Sequence, residues 1–275
     1  MDNGKWGADA RCSMFDVRTS RKPHFPLFIQ YLPEVDSTNT YLASIADAVA
    51  PGHLVWTGHQ RSGRGQRGTE WLAQPGLNLT FSFLLAPTQL PLASIFALTQ
   101  CVALALPDAI ASWTNGQINP DIKWPNDLLV NGKKLGGILI ENRLQGERLA
   151  TSIVGVGLNV NQTEFAGLEA TSLRLETGQL FPDLAGFFTH LSAALGQYYP
   201  LLESASGRRQ LSQTYHQHLC PQPGLWATYA TDTETFEAKT LSVADSGYLW
   251  LERRNGARQA YEVKEVRLVD GKPLL

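Results

Sequence analysis

Asp127-Leu128-Leu129-Val130-Asn131-Gly132-Lys133-Lys134-Leu135-Gly136-Gly137-Ile138-Leu139-Ile140-Glu141 decides the fold. Asn131-Gly132 is the strongest short hairpin signal, because both residues tolerate the positive φ of a two-residue turn. Asp127–Val130 therefore leads in and Lys133–Glu141 returns. Leu149–Val160 follows as a further strand. Consecutive hairpins, rather than strands alternating with helices, predict a largely antiparallel α+β domain.

Upstream, Leu77, Leu79, Phe81, Phe83 and Leu85 alternate with Asn78, Thr80, Ser82 and Leu84. That period of two is a strand with one well-buried face. Leu54–Gln60 is another strand, and it ends in a loop rich in Gly and Arg. Asp36 or Ser37 can cap a helix over Thr38–Val49, where Tyr41, Leu42, Ile45 and Val49 share a face. Leu92–Leu106 is apolar nearly all round and reads as a buried helix stopped by Pro107. Downstream, helices are expected at Asp183–Glu203 and Arg208–Leu219. Pro221 and Pro223 then mark a boundary. Beyond it, Leu225–Thr231, Thr235–Val243, Tyr248–Arg254 and Arg258–Val269 are short strand candidates, with turns at Asp245-Ser246-Gly247 and Asn255-Gly256. The layout is a polar extension over 1–26, a main domain over 27–220 and a small β-barrel over 221–275.

Composition sets the outer limits. The chain has 275 residues, 43% hydrophobic and 17% charged, enough apolar mass for a sizeable core. A net charge of −2 argues against a domain built mainly to neutralise nucleic-acid phosphates. Cys12, Cys101 and Cys220 form no paired framework and read as reduced thiols of a cytoplasmic protein. The longest strictly apolar run, Cys101–Pro107, is far short of the ~18 residues a membrane span needs. The N-terminus has no apolar signal region. Met14 is an alternative start, which would make 1–13 an extension.

Four motifs carry candidate chemistry. In Gln60-Arg61-Ser62-Gly63-Arg64-Gly65-Gln66-Arg67-Gly68, glycines let backbone N–H groups form an anion-binding nest beside fixed arginine charge. Taken alone it reads as well as a flexible basic surface turn. It is neither a Walker loop nor a dinucleotide fingerprint. In Lys123-Trp124-Pro125-Asn126-Asp127, Asp127 could hold Mg²⁺ through water and Asn126 could bond a phosphate or sugar. The plainer reading is a proline turn leading into a strand. Lys134, just ahead of Gly136-Gly137, can point into a cleft floored by bare backbone, or can be an edge-strand lysine beside a bulge. Gly155, Gly157, Asn159 and Asn161 alternate on one strand. A ligand against that face explains the missing side chains better than packing does. The histidines make no metal pair, and no G-x-S-x-G elbow is present.

In order and spacing these motifs resemble the biotin–protein ligases. The resemblance runs over Glu34–Asn39, Gln60–Trp71, Gly76–Thr80, Lys123–Asp127, Lys134–Glu141 and Gly155–Asn159, and extends to the C-terminal β segment. It implies a class II synthetase-like fold, a mixed and largely antiparallel sheet with helices on one face, plus an SH3-like barrel. It also implies a two-step reaction. Biotin and ATP give biotinyl-5′-AMP, and a lysine of a biotin carboxyl carrier domain then takes the biotin. By the same resemblance, Ser37, Thr38, Asn39, Gln60, Gly63, Gly65, Gln66, Gly137, Gly155 and Gly157 are expected around biotin. Lys134 and Arg64 are the expected catalytic cations, both also touching biotin. Arg67, Trp71, Lys123, Asn126 and Asn159 fall to the nucleotide, and Asp127 to magnesium or the incoming lysine. No DNA or membrane partner is expected, and the assembly is a monomer or weak homodimer.

Two departures stand out. Many relatives carry Arg where this chain has Gln66 and Thr69, so phosphate contact is expected from Arg61, Arg67 or Mg²⁺. The motifs also begin near residue 31, which fits the ligase-only class without a helix-turn-helix domain. A lipoate–protein ligase and a biotin-sensing regulator are the rival readings. The loop and Lys123–Asp127 favour biotin over lipoate.

Overall fold

The computed structural model describes residues 23–269. In chain order the elements begin with β1 (Phe28–Val35), α1 (Thr38–Ile45), β2 (His53–Gln60), β3 (Leu79–Leu85) and α2 (Phe96–Trp113). Next come β4 (Asp121–Lys123), β5 (Asp127–Val130), β6 (Lys133–Gln145) and β7 (Arg148–Leu158). Helices α3 (Leu173–Thr177), α4 (Phe187–Tyr198) and α5 (Ala205–Gln217) follow. The chain closes with β8 (Trp226–Ala230), β9 (Thr235–Val243), β10 (Leu249–Arg253), β11 (Arg258–Tyr261) and β12 (Arg267–Leu268).

A seven-stranded sheet runs β1-β2-β3-β7-β6-β5-β4. Only β1 and β2 pair in parallel; every other neighbouring pair is antiparallel. The hairpin forms as its turn residues require, with φ of 53° at Asn131 and 77° at Gly132. A bulge between Leu128 and Leu129 shifts the register, so Leu128 faces Gly136 and Leu129 faces Lys134. Strands β1 and β4 and the short helix α3 were not anticipated. They are brief or lie at sheet edges, where periodicity is weakest.

The expected placement of helices on one face needs correction. Helices α2, α4 and α5 cover one face, with Phe81, Phe83, Val154 and Val156 in the same core. Helix α1 lies on the other, where Leu42 packs with Val55, Leu84 and Ile153. The reason is in the strands. Leu54 and Val55, Phe83 and Leu84, and Ile153 and Val154 send apolar side chains to opposite faces, so both need cover. All seven residues of β3 are buried for the same reason, rather than one face of it.

Pro107 does not stop α2; it sits inside the helix, which runs on to Trp113. The missing N–H and ring clash cost about 3 kcal/mol. Burying large apolar side chains, at roughly 2 kcal/mol each, offsets that cost, and Leu104, Leu106 and Ile110 are all buried. By length and composition Leu92–Trp113 could cross a membrane, but most of it is buried in the core. Helix α1 ends at Ile45, short of Val49, and Ser37 is its N-cap, accepting from Thr40 N.

Residues 1–22 of the expected extension lie outside the described residues. Phe25, at its end, is instead part of the fold, with its N–H bonded to Ser192 O at 2.9 Å and its ring 4.8 Å from Tyr199. The C-terminal strands form a second sheet, β11-β10-β9-β8-β12. Hydrogen bonds to the main domain help to place it. Trp124 Nε1 donates to Gly247 O at 3.0 Å, and Val243 N donates to His216 Nε2 at 2.8 Å.

Candidate functional site

One row of paired residues crosses the sheet on the face that α1 only half covers. Thr57 of β2 pairs with Thr80 of β3, Thr80 with Gly157 of β7, Gly157 with Gly137 of β6, and Gly137 with Asp127 of β5. Paired residues point to the same face. The row is small in its middle and polar at its ends, so it makes the floor of a cavity of about 250 Å³. The next row, Ser82, Gly155 and Leu139, continues it.

Around this floor the structure gathers much of the expected set. Ser37, Thr38, Asn39, Gln60, Arg64, Gly65, Gln66, Trp71, Asn126, Asp127, Lys134, Gly137, Gly155 and Gly157 all line the cavity. The start of α1 supplies one wall. Thr38 N and Oγ1 both donate to Gln60 Oε1, at 2.9 and 3.3 Å. Ser82 Oγ lies 2.7 Å from Thr38 Oγ1 and 2.5 Å from Asn39 Oδ1. Asn39 Nδ2 donates to Glu141 Oε2 at 2.7 Å. A connected polar network of this kind holds its members in one geometry.

The cations are positioned by carboxylates. Lys134 Nζ sits 2.7 Å from Asp127 Oδ1 and 5.9 Å from the centre of the Trp71 ring. Arg64 pairs with Glu141 and donates to Thr40 Oγ1 at 3.3 Å. The Lys134 side chain is 39% exposed and that of Arg64 51%. Pairs this open are worth about 0–1 kcal/mol, so an arriving anion can compete for either cation at little cost. Lys133, one residue earlier, is exposed and does not line the cavity.

The glycines on β7 have protein neighbours. A Cβ on Gly155 would stand 2.2 Å from Asn39 Oδ1, and one on Gly157 would stand 2.2 Å from the Trp71 ring. Their bare backbone is therefore already required by Asn39 and Trp71, and not by a ligand alone as the sequence suggested. Trp71, expected on the nucleotide side, lies on the floor itself. Its buried Nε1–H has no hydrogen-bond partner among the described residues.

Other expected residues stand apart. Asn159 lies past the end of β7 and its Nδ2 donates to Thr171 O at 3.0 Å; it is buried away from the cavity. Asn161 likewise bonds backbone, to Phe181 O and from Phe181 N. Their amides hold loops, which accounts for polar residues at those positions. Lys123 ends the row on β4 but lines a small crevice against Cys220 and Leu249 instead. Gly63 does not line the cavity. It closes the loop, its O accepting from Trp71 N at 3.0 Å, in space too tight for a Cβ. Arg61, expected near phosphate, does not line the cavity; it pairs with Asp36 at 2.7 Å and Glu34 at 3.2 Å. The Arg67 side chain lies outside the described residues.

Sequence reasoning missed Glu141, Ser82, Thr80 and Lys264 as site residues. Glu141 continues the alternation Gly137, Leu139, Glu141, and Ser82 and Thr80 interrupt an apolar strand, so all three were findable by period. Lys264 carried no such signal.

A half-open polar sheet face, with Lys134 and Arg64 lining a small-residue floor and a second antiparallel sheet appended, has the chemistry to receive a small anionic molecule. The chain belongs to the biotin/lipoate A/B protein ligase family, whose match covers residues 31–159. It is 32% identical over 249 residues to the bifunctional ligase/repressor BirA of Bacillus spizizenii, covering 84% of this chain and 71% of that protein. With the biotin–[acetyl-CoA-carboxylase] ligase of Paracoccus denitrificans it shares 36% identity over 136 residues, 50% of this chain and 56% of the other. Among solved structures, the biotin protein ligase of Aquifex aeolicus in complex with biotin and ATP aligns with a TM-score of 0.71 and 26% identity. That alignment covers 88% of this chain and 98% of the other.

Proposed function

We propose that this protein activates biotin with ATP and transfers the biotinyl group to a lysine of a biotin carboxyl carrier domain. The observation that carries this reading is the cavity's polarity along one row. Its Gln60 end offers the neutral donors and acceptors of Ser37, Thr38 and Gln60, suited to a ureido ring. Its Asp127 end brings Lys134 to the same floor, beside the loop that holds Arg64. The relatives and the Aquifex complex support the same substrates.

In the first step the biotin carboxylate oxygen attacks the α-phosphorus of ATP. The bond from that phosphorus to the bridging oxygen breaks, and pyrophosphate leaves with the electron pair. Two anions must approach, so catalysis is positioning plus charge stabilisation. Lys134, held by Asp127, and Arg64, held by Glu141, are the cations placed for it. In the second step the carrier lysine's amine attacks the carbonyl carbon of the mixed anhydride, and AMP leaves. No protein nucleophile is required in either step.

Magnesium enters this reading on the triphosphate. Among the described residues no cluster of three His, Cys, Asp or Glu forms a resident metal centre. Asp127 and Glu70 are the carboxylates lining the cavity. That donor set fits a cation that keeps phosphate and water ligands and takes one or two carboxylates. The buried thiol of Cys101 is in keeping with the reducing, cytoplasmic setting we propose.

The test is to mix purified protein with Mg-ATP and either biotin or lipoate, and to look for the acyl-adenylate by mass spectrometry. Biotinyl-AMP alone is the expected product. Comparable lipoyl-AMP would contradict the specificity assigned to Gln60 and its neighbours.

A further inference from the structure

The cavity has a residue from outside the main domain. Lys264, of the C-terminal sheet's last turn, lines it together with Lys134 and Arg64. Its backbone is unusual as well. Among the described residues, the non-glycine positions with positive φ are Asn115, Asn131, Ala166 and Lys264, the last at 76°. Asparagine tolerates that region; lysine does not gain from it. Such an outlier persists only where its surroundings fix it, and it marks functional positions more often than others.

The surroundings do fix it. Glu265 N donates to Glu262 O at 3.1 Å, closing a β-turn with Val263 and Lys264 at its centre. Positive φ at the third residue of such a turn is ordinarily met by glycine. Glu262 N also donates to Glu265 Oε2 at 2.7 Å, and Tyr248 OH bonds Glu262 Oε1. Buried Tyr261 and Val266 anchor the two ends in the barrel. Next to Tyr248, Gly247 O accepts from Trp124 Nε1 at 3.0 Å. A bonded path thus runs from the Lys123–Asp127 segment to the turn, and sets the barrel on the Asp127 end of the row.

Among the described residues of the loop after β2, Arg64 is the cation that lines the cavity. Gln66 and Thr69, which also line it, are neutral, and Arg61 is paired with Glu34 and Asp36. We propose that Lys264 is a phosphate-binding residue of this site, delivered by the C-terminal barrel to the triphosphate of the bound nucleotide. The proposal rests on the ATP reading above. Its chemistry is a charge-assisted hydrogen bond to a non-bridging phosphate oxygen, made from a second domain, so nucleotide binding draws on both domains at once.

The discriminating variant is Lys264→Gly, which removes the charge and suits the turn's backbone; Lys264→Arg restores the charge. Calorimetry measures binding of α,β-methylene ATP with Mg²⁺ to protein with and without saturating biotin, and of biotin alone. In Lys264→Gly, nucleotide affinity is expected to fall about tenfold, the scale of one charge-assisted bond. Biotin affinity is expected to hold, melting temperature to stay or rise, and Lys264→Arg to recover most of the loss. Unchanged nucleotide affinity in Lys264→Gly overturns the proposal. So does an equal loss for biotin, which would mean that the turn merely supports the fold. A wild type that binds the nucleotide but not biotin, with Lys264→Gly still weakened, overturns the biotin reading and keeps Lys264. A wild type that binds neither overturns both.

Discussion

Lys134 shows how far a single residue's role is set by strand register. Lys133 and Lys134 are chemically alike, yet the bulge opposite Leu128 and Leu129 interrupts the alternation of β6, so Lys134, not Lys133, shares the floor side with Gly137 and meets Asp127 at 2.7 Å. A cation there meets more negative charge in the transition state than in the ground state, so it acts on rate as well as binding. Lys134→Ala is expected to lose at least ~100-fold in single-turnover adenylate formation, the scale of one preorganised charge donor. Stability should change by no more than about 1 kcal/mol, because the ion pair is partly exposed. Lys133→Ala should be nearly silent. Sensitivity at Lys133 instead would place the register one residue off, and insensitivity at both would remove Lys134 from the chemistry. The lysine, the Gly-Gly beside it and the Asn-Gly turn were legible in sequence because each acts locally. What Asn159 and Asn161 do was not legible, since their partners Thr171 and Phe181 lie in loops without period.

At the scale of elements, strands and caps were the readable part. Ser37 caps α1, the hairpin turns at Asn131-Gly132, and β9 spans Thr235–Val243 as its pattern indicates. Misreadings came where packing overrides a local rule. Pro107 is carried through α2 by burial, and α1 sits opposite the other helices because β2, β3 and β7 are apolar on both faces. The loop after β2 falls between these cases. Its glycines were legible, but not its closure, with Gly65 N bonded to Thr69 O at 2.7 Å and Trp71 N to Gly63 O. Nor was it legible that Arg61 and Arg64 are each paired with carboxylates. Those pairs are open to solvent and weak, and ordering glycines costs entropy. The loop is therefore expected to open without ligand and to close over the adenylate. Trp71, with its indole N–H unpartnered on Gly157, should move with it. Limited trypsin digestion checks this. Cleavage near Arg61–Arg67 should slow when biotin and ATP are both present, and equal cleavage in both conditions contradicts it.

For the molecule as a whole, the division of labour follows from sheet geometry. One face is closed by α2, α4 and α5 and supplies the core; the other is half covered by α1, and the uncovered half is the site. Function thus sits where the fold has backbone to spare, flanked by paired cations and reached by one lysine from the barrel. Within that frame, an intermediate formed in the absence of an acceptor has nowhere productive to go and stays bound. The most direct measurement of the central claim is rapid-quench pyrophosphate release with Mg-ATP, with and without biotin, before and after adding an apo biotin carboxyl carrier domain. The account predicts a biotin-dependent burst stoichiometric with the protein, then little turnover, then steady release matched by biotin appearing on one carrier lysine. Release that ignores biotin, or a carrier that stays unmodified while pyrophosphate accumulates, would contradict it.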